Sequence, residues 1–420
     1  MGSGAVSRIY RWTLFGIAFI LPSGFYGLIW LALSIIFLCW LQFKDYKNIG
    51  LFFKSPQILY PVLLYVYVVI GFFFSHNYSG ALASLSTRLP FLLFPLIIGT
   101  SSIINERTIE KFEKCYVIAI CFFLILAIGY AFYDVWKTGK QTILINESIY
   151  NKYHWYGLTR VFENWHPTYV ALFSDFAVAI LLRKIFKRRK GSKLKRIVPS
   201  LLIILFLGFC VYLLNSITAI IAFFSLIIFY TFQFLRKTKL GKLGSSVIII
   251  AISTSIAIFL YENPMKIEKI EDFKRQSFIV TDKQNERNAF TIRLAKWEAH
   301  RYIIKDHWLF GTTDGDINEI RKQTYIDKGF QDLAKYNYNA HNQYIETLAS
   351  FGVIGLFILL YMMTAPILSG RFYQNYIPFI LILSIGFLTE SILNRQQGIL
   401  YFMFMFALYT NQVRQKNKNY

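Results

Sequence analysis

The run NAHNQYIETLASFGVIGL (339–356) sets a histidine and a glutamate where a polar clump passes directly into an apolar segment. At helical spacing His341, Tyr344, Ile345 and Leu348 share one face, and Asn342 and Glu346 the neighbouring one. A histidine can take a proton near neutral pH. A helix N-terminus at this point presents free N–H groups and partial positive charge, which suit an anion. Glu346 falls about one turn inside, where an ionised group is costly unless paired or wet. The spacing is equally met by an ordinary interfacial histidine at the head of a solvated polar turn.

Three further stretches carry candidate groups. In TIRLAKWEAHR, Arg293, Lys296 and His300 lie on one helical face with Trp297 beside Arg293. Such a cationic face suits phosphate or pyrophosphate, or is simply solvated. In GLTRVFENWHPTYVALFSDF (157–176), Arg160, Glu163 and His166 precede an apolar segment that opens on Pro167, a good first-turn residue. Arg160 reads as a ligand group or a loop cation, and His166 as a ligand group or an interfacial cap. Asp175, about two turns deep, is costly there and so suggests a use. Arg88, in STRLPFLLFP, either snorkels to the interface or reaches a ligand. Glu390 and Arg395 could pair with each other. No P-loop, HExxH or GxSxG pattern is present, and nothing reads as a DxD-type metal site. The expected chemistry therefore rests on histidine, arginine and carboxylate, with no metal or cofactor. The loops are rich in Tyr and Trp, which stack on sugars or anchor at membrane interfaces.

The elements that must position these groups are membrane helices. Of 420 residues 55% are hydrophobic, 18% aromatic and only 16% charged, and the mean hydropathy is +0.43. Apolar runs long enough to cross a bilayer recur, predicting an all-α polytopic membrane protein with about 12 transmembrane helices. They fall near 10–22, 25–41, 57–74, 86–104, 113–133, 166–182, 197–213, 217–235, 244–261, 341–364, 376–393 and 398–411. The net charge of +22 comes from 45 Lys and Arg against 23 Asp and Glu. Most of that excess falls in alternate loops, such as RKIFKRRKGSKLKR (183–196) and RKTKLGK (236–242). The positive-inside rule then puts both termini in the cytoplasm and makes nucleic-acid binding unnecessary. All the candidate groups above fall on the opposite, external side. Cys39, Cys115, Cys121 and Cys210 lie in or beside apolar runs, so no disulfide is expected, and no removable signal peptide is read. The chain is one membrane-embedded domain, 1–420, with external loops over 134–165 and 262–340. The larger loop, with a helical stretch at 288–304 and the turn-rich WLFGTTDGD (308–316), is expected to be a folded cap. Gly352 and Gly355 are expected to allow close helix approach. No internal repeat suggests a two-halved transporter.

On these residues the chain resembles the bacterial O-antigen ligase superfamily, which includes O-antigen polymerases and protein O-oligosaccharyltransferases. NAHNQYIETLASFGVIGL is similar to its histidine motif, of the form HNxYLxxLxxxGxxGL, and RLAKWEAHRYIIKDHWLFGTTDGD to its upstream arginine block and "PLFGxGxG"-like turn. LTESILNRQQGILYFMFMFAL (388–408) looks like the closing pair of spans. The resemblance implies a glycosyltransferase of the bacterial inner membrane. It would move a glycan from undecaprenyl pyrophosphate to an acceptor hydroxyl on the periplasmic face, with inversion and without metal. Lipid A core is the favoured acceptor; a growing glycan or a protein is the alternative, and a lipid-linked sugar transporter is the reading from another class. By the same resemblance His341 is catalytic and Arg293 binds the pyrophosphate. Arg160, Arg88, His166, Asn342, Tyr344, Glu346, Trp297 and His300 are the candidate substrate-binding residues around them. One position departs from the family: LLNSITAIIAF (213–223) carries Ile217 where a second basic residue is expected. Arg160 or Arg88 is expected to stand in.

Overall fold

The structure is a computed structural model and describes residues 3–138, 156–159, 161–162, 165–187, 197–236, 244, 254 and 289–411. The predicted span 244–261, most of the basic run 183–196, and parts of both long loops lie outside the described residues. Every regular element among the described residues is helical. In order these are α1 (Ser3–Ile20), α2 (Tyr26–Gln42), a 3₁₀ segment (Asp45–Lys54), α3 (Pro56–Phe74), α4 (Tyr78–Arg88), α5 (Pro90–Ile97), α6 (Glu106–Thr138), α7 (Tyr156–Thr159), α8 (Pro167–Phe186), α9 (Val198–Leu213) and α10 (Ile217–Leu235). After the long loop come α11 (Ala289–Asp306), α12 (Ile317–Asp327), α13 (Gln331–Tyr336), α14 (Gln343–Leu368), α15 (Tyr376–Phe387), a 3₁₀ turn (Ile392–Asn394) and α16 (Gln396–Tyr409). Prolines open α3, α5 and α8, where the missing N–H costs nothing.

Among the described residues, five helices are long and apolar enough to cross a membrane: Pro56–Phe74, Tyr78–Ile97 (α4 and α5 together), Glu106–Lys137, Ile217–Leu235 and Gln343–Leu368. A sixth arises if α2 and the bent segment after it, turned by 91°, count as one span. The expected twelve crossings are therefore not reached among the described residues. For three of them the physical reason is length. Helices do form at the other described positions, but α9 has 16 residues, α15 12 and α16 14, short of the ~20 that a bilayer asks for.

Two helices are buried nearly all round and form the centre: α8, buried continuously from Tyr169 to Leu181, and α16, buried from Gln397 to Tyr409. Aromatic rings fill the space between them, with Phe173 4.1 Å and Phe176 6.4 Å from Tyr401. At one end of α8, Arg183 meets the buried Glu113 at 2.8 Å, and Asn375 and Tyr409 complete that carboxylate's hydrogen bonds. At the other end, where His166 caps α8, the small helices α11, α12 and α13 pack over the start of α14.

Helix α14 is not continuous. Gly352 has φ +63°, a left-handed conformation that breaks the helix. The turn after α11 enters the break. Val353 N–H donates to Trp308 O (2.9 Å), and Thr312 N–H to Ala349 O (3.0 Å). A Cβ on Gly352 would collide with Leu309 O, and one on Gly311 with Ser350 O. The close approach expected at Gly352 is thus real, but its partner is a loop backbone and not a second helix.

Candidate functional site

The start of α14 is built to hold His341 in one place. Asn342 is the N-cap: its Oδ1 accepts from Tyr344 N (3.0 Å) and Ile345 N (3.1 Å), while Nδ2 donates to Leu388 O (3.1 Å). Gln343 Oε1 accepts from Leu393 N (2.6 Å), and Tyr344 Oη donates to Ser384 O (3.3 Å). These bonds tie the helix start to α15 and the 388–394 turn that follows it. Trp297 Nε1 donates to Ala340 O (3.0 Å), which fixes the chain just before the histidine. His341 itself sits at φ +45°, a strained conformation for a residue with a Cβ. The result is an imidazole with Nδ1 3.3 Å from Glu390 Oε2 and a side chain 23% exposed.

Glu346 is the hub of a separate, closed network. It is buried, and Arg321 NH1 (2.9 Å), Ala340 N (2.7 Å), Asn394 Nδ2 (2.9 Å) and His300 Nε2 (3.3 Å) surround its two oxygens. His300 is itself fully buried, its Nδ1 donating to Lys296 O (2.6 Å). The network joins α11, α12, α14 and the 392–394 turn. It explains why an ionisable group is tolerated one turn into α14: its charge is answered on every side.

Around His341 the cations have no ion-pair partner among the described residues. Arg293 lies within electrostatic reach of Lys296 and Glu390 but has no hydrogen bond or ion pair with a described residue. Lys296 is only 4% exposed, and its Nζ stands 4.2 Å from the Tyr338 ring centre. Burial, with the Arg293 charge adding to it, pushes the Lys296 ammonium down to about 8 from the usual lysine range. Tyr338 lies in turn 6.4 Å from the His341 ring. From the far side, the Arg395 guanidinium sits 6.0 Å over Tyr169, and His166 packs edge-on to the same ring at 5.5 Å. His166 feels the charges of Glu390, Arg395 and His341. Three cations and two histidines therefore gather at one end of the bundle, with Glu390 as the carboxylate among them. Such an arrangement can accept a proton at His341 and hold a multiply charged anion beside it.

The structure divides the sequence candidates. His341, Arg293 and His166 come together. Asn342, Tyr344, Trp297, His300 and Glu346 hold the frame behind them. Arg88 was expected to be available to a ligand and is not: Nε and Nη2 pair with Asp314 (2.5 and 2.9 Å), Nη1 donates to Leu393 O (3.0 Å), and Phe351 covers it. Arg160 lies outside the described residues. Asp175 is buried on α8 between the two ends, with no hydrogen bond to either oxygen among the described residues. Ile217, the first residue of α10, is 39% exposed, while its neighbour Thr218 bonds Thr389 at 2.6 Å. Sequence reasoning noticed three further residues here without placing them among the candidate site residues. Lys296 showed itself only as part of the Arg293 face. Glu390 and Arg395 were read as a pair that could form with each other, whereas Glu390 meets His341.

The O-antigen ligase family model matches residues 201–360, a stretch that contains Arg293, Lys296 and His341. No curated protein matches the chain.

Proposed function

We propose a specific reaction for this chain, whose residues 201–360 match the O-antigen ligase family model and so support a membrane glycosyltransferase of ligase or polymerase type. The donor is a glycan on undecaprenyl pyrophosphate and the acceptor a hydroxyl, with the lipid A core favoured, on the periplasmic face of the inner membrane. Glu390 accepts a hydrogen bond from His341 Nδ1–H. That leaves Nε2 as the proton acceptor. As the acceptor oxygen bonds to the anomeric carbon, its proton passes to Nε2. The bond from that carbon to the pyrophosphate oxygen breaks, and the configuration inverts. The departing pyrophosphate carries the electron pair, and Arg293, Lys296 and Arg395 stabilise its charge. Lys296 and Arg395 here take the part left open by Ile217.

The observation that carries this reading is the pairing of His341 with Glu390 beside cations that have no ion-pair partner among the described residues. A polymerase uses the same donor and differs only in acceptor. The test is deletion of the gene, with complementation by wild type and by His341→Ala, followed by gel analysis of surface polysaccharide and lipid-linked glycan. The expected result is long lipid-linked chains, a bare lipid A core, and restoration by wild type alone. Accumulation of single repeat units would instead make it a polymerase, and restoration by His341→Ala would remove the histidine from the reaction.

A further inference from the structure

The turn Trp308–Gly311 belongs to the long loop, yet it packs well below the ends of the helices around it. Tyr67 Oη donates to Phe310 O at 3.0 Å. Tyr67 lies seven residues before the end of α3, about 10 Å along its axis. The α3 helix has 19 residues, about 28 Å, just the thickness of a bilayer core, so it has little length to place outside. On the other flank, the break at Gly352 lies about 14 Å below the first residue of α14.

A backbone at that depth must have its polar groups bonded within the protein. This one has. Trp308 O accepts from Val353 N, Leu309 O from Ile354 N, and Phe310 O from Tyr67 Oη; Gly311 N donates to His307 O and Thr312 N to Ala349 O. The charges just beyond it are also held. Asp314 pairs with Arg88 and Ser84, and Asp316 accepts from Ser75 Oγ, Asn77 N and His76 N. Burial works to raise the Asp316 carboxyl, but these bonds outweigh it and hold the group below the usual range. The side chains of the turn are the reverse. Trp308 is 57% and Phe310 63% exposed, and the contacts are flanked by exposed Val66, Ile70 and Phe74 of α3 and Val353 and Phe357 of α14.

We propose that Trp308–Gly311 is a re-entrant wedge. It enters the bilayer between α3 and α14 and presents Trp308 and Phe310 to the acyl chains of the leaflet at the His341 end. Satisfied carbonyls and outward apolar side chains are what a lipid surface selects; a water-facing turn needs neither. The continuous apolar surface with two membrane-length helices names lipid as the occupant.

The test uses the full chain in phosphatidylcholine vesicles. The emission due to Trp308 is the difference between wild type and Trp308→Phe. Lipids brominated near mid-chain or near the head group, and aqueous iodide, are the quenchers. The wedge predicts loss of most of that emission with brominated acyl chains, and little with iodide. Phe310→Cys, in a chain with its native cysteines replaced and carrying an environment-sensitive dye, gives a second reading: blue-shifted emission supports the wedge. Emission quenched by iodide and untouched by brominated lipid, with a dye spectrum like that in water, overturns it. So does emission shielded from both quenchers, which would mean that protein covers the turn.

Discussion

Two buried glutamates, Glu346 and Glu390, lie close to His341 and behave in opposite ways. Around Glu346 there is an arginine, a histidine, an asparagine and a backbone N–H, and the site is closed. Around Glu390 there is one histidine at 3.3 Å, and the nearby cations outnumber it. Glu113, at the far end of the bundle, follows the Glu346 pattern with Arg183, Asn375 and Tyr409. A carboxylate whose bonds are complete is part of the frame. A carboxylate that leaves cations over marks a place where another anion belongs. The distinction lies in the local balance of charge, since residue type, burial and depth are much the same in the two cases.

The sharpest way to break this comparison is Glu346→Ala. Removing one partner of a buried ion pair costs about 3–5 kcal/mol, so thermal unfolding in detergent should show a large fall in Tm, with activity lost as the fold is lost. A variant that stays folded and loses only turnover would place Glu346 in the reaction. Next comes His341→Ala, with an expected loss of ~10²–10⁴-fold in turnover and little change in Tm; a matching fall in Tm would make it a second Glu346. Third is Lys296→Met, which should raise the donor KM by roughly 10–100-fold, the worth of a hydrogen bond to a charged group, while Lys296→Arg recovers most of it. The same residue gives a pH test. Its ammonium is charged below about 8, so wild-type donor affinity should weaken as pH rises through that value, and the Arg variant should not follow. A stability effect runs the other way. Between about 8 and the ordinary lysine range the unfolded chain holds a proton that the folded one has released, so folding is favoured as pH rises through that window. The smallest effect is expected for Ile217→Ala, within about 0.5 kcal/mol on stability and without change in donor KM. A large rise in KM would return that position to the site.

Much of the helical order was legible because apolar runs, prolines and turn residues are local signals. The run from Asn339 to Leu356 announced both a polar clump and a helix start, and the structure has Asn342 capping it. What local signals do not carry is the partner. Arg88 read as an available cation because Asp314, its partner, is distant in sequence; Glu390 read as a mate for Arg395 because five residues separate them, while His341 is reached only through the fold. The apolar runs outnumber the helices of membrane length among the described residues for a related reason. Hydropathy reports that a segment is apolar, but the buried helices α8 and α16 are apolar because other helices surround them. Gly352 was read as a packing residue, and only the φ angle showed that it ends one helix and starts another.

The break at Gly352 also bears on how the chain is made. A rod from Gln343 to Leu368 with no interruption would satisfy its own N–H groups, and nothing in the segment alone requires it to open. The carbonyls that receive Val353 and Ile354 belong to Trp308 and Leu309, which leave the ribosome first. The instruction to bend this span is therefore already synthesised when the span arrives. A fragment beginning after Gly311 would insert the same sequence as a straight helix.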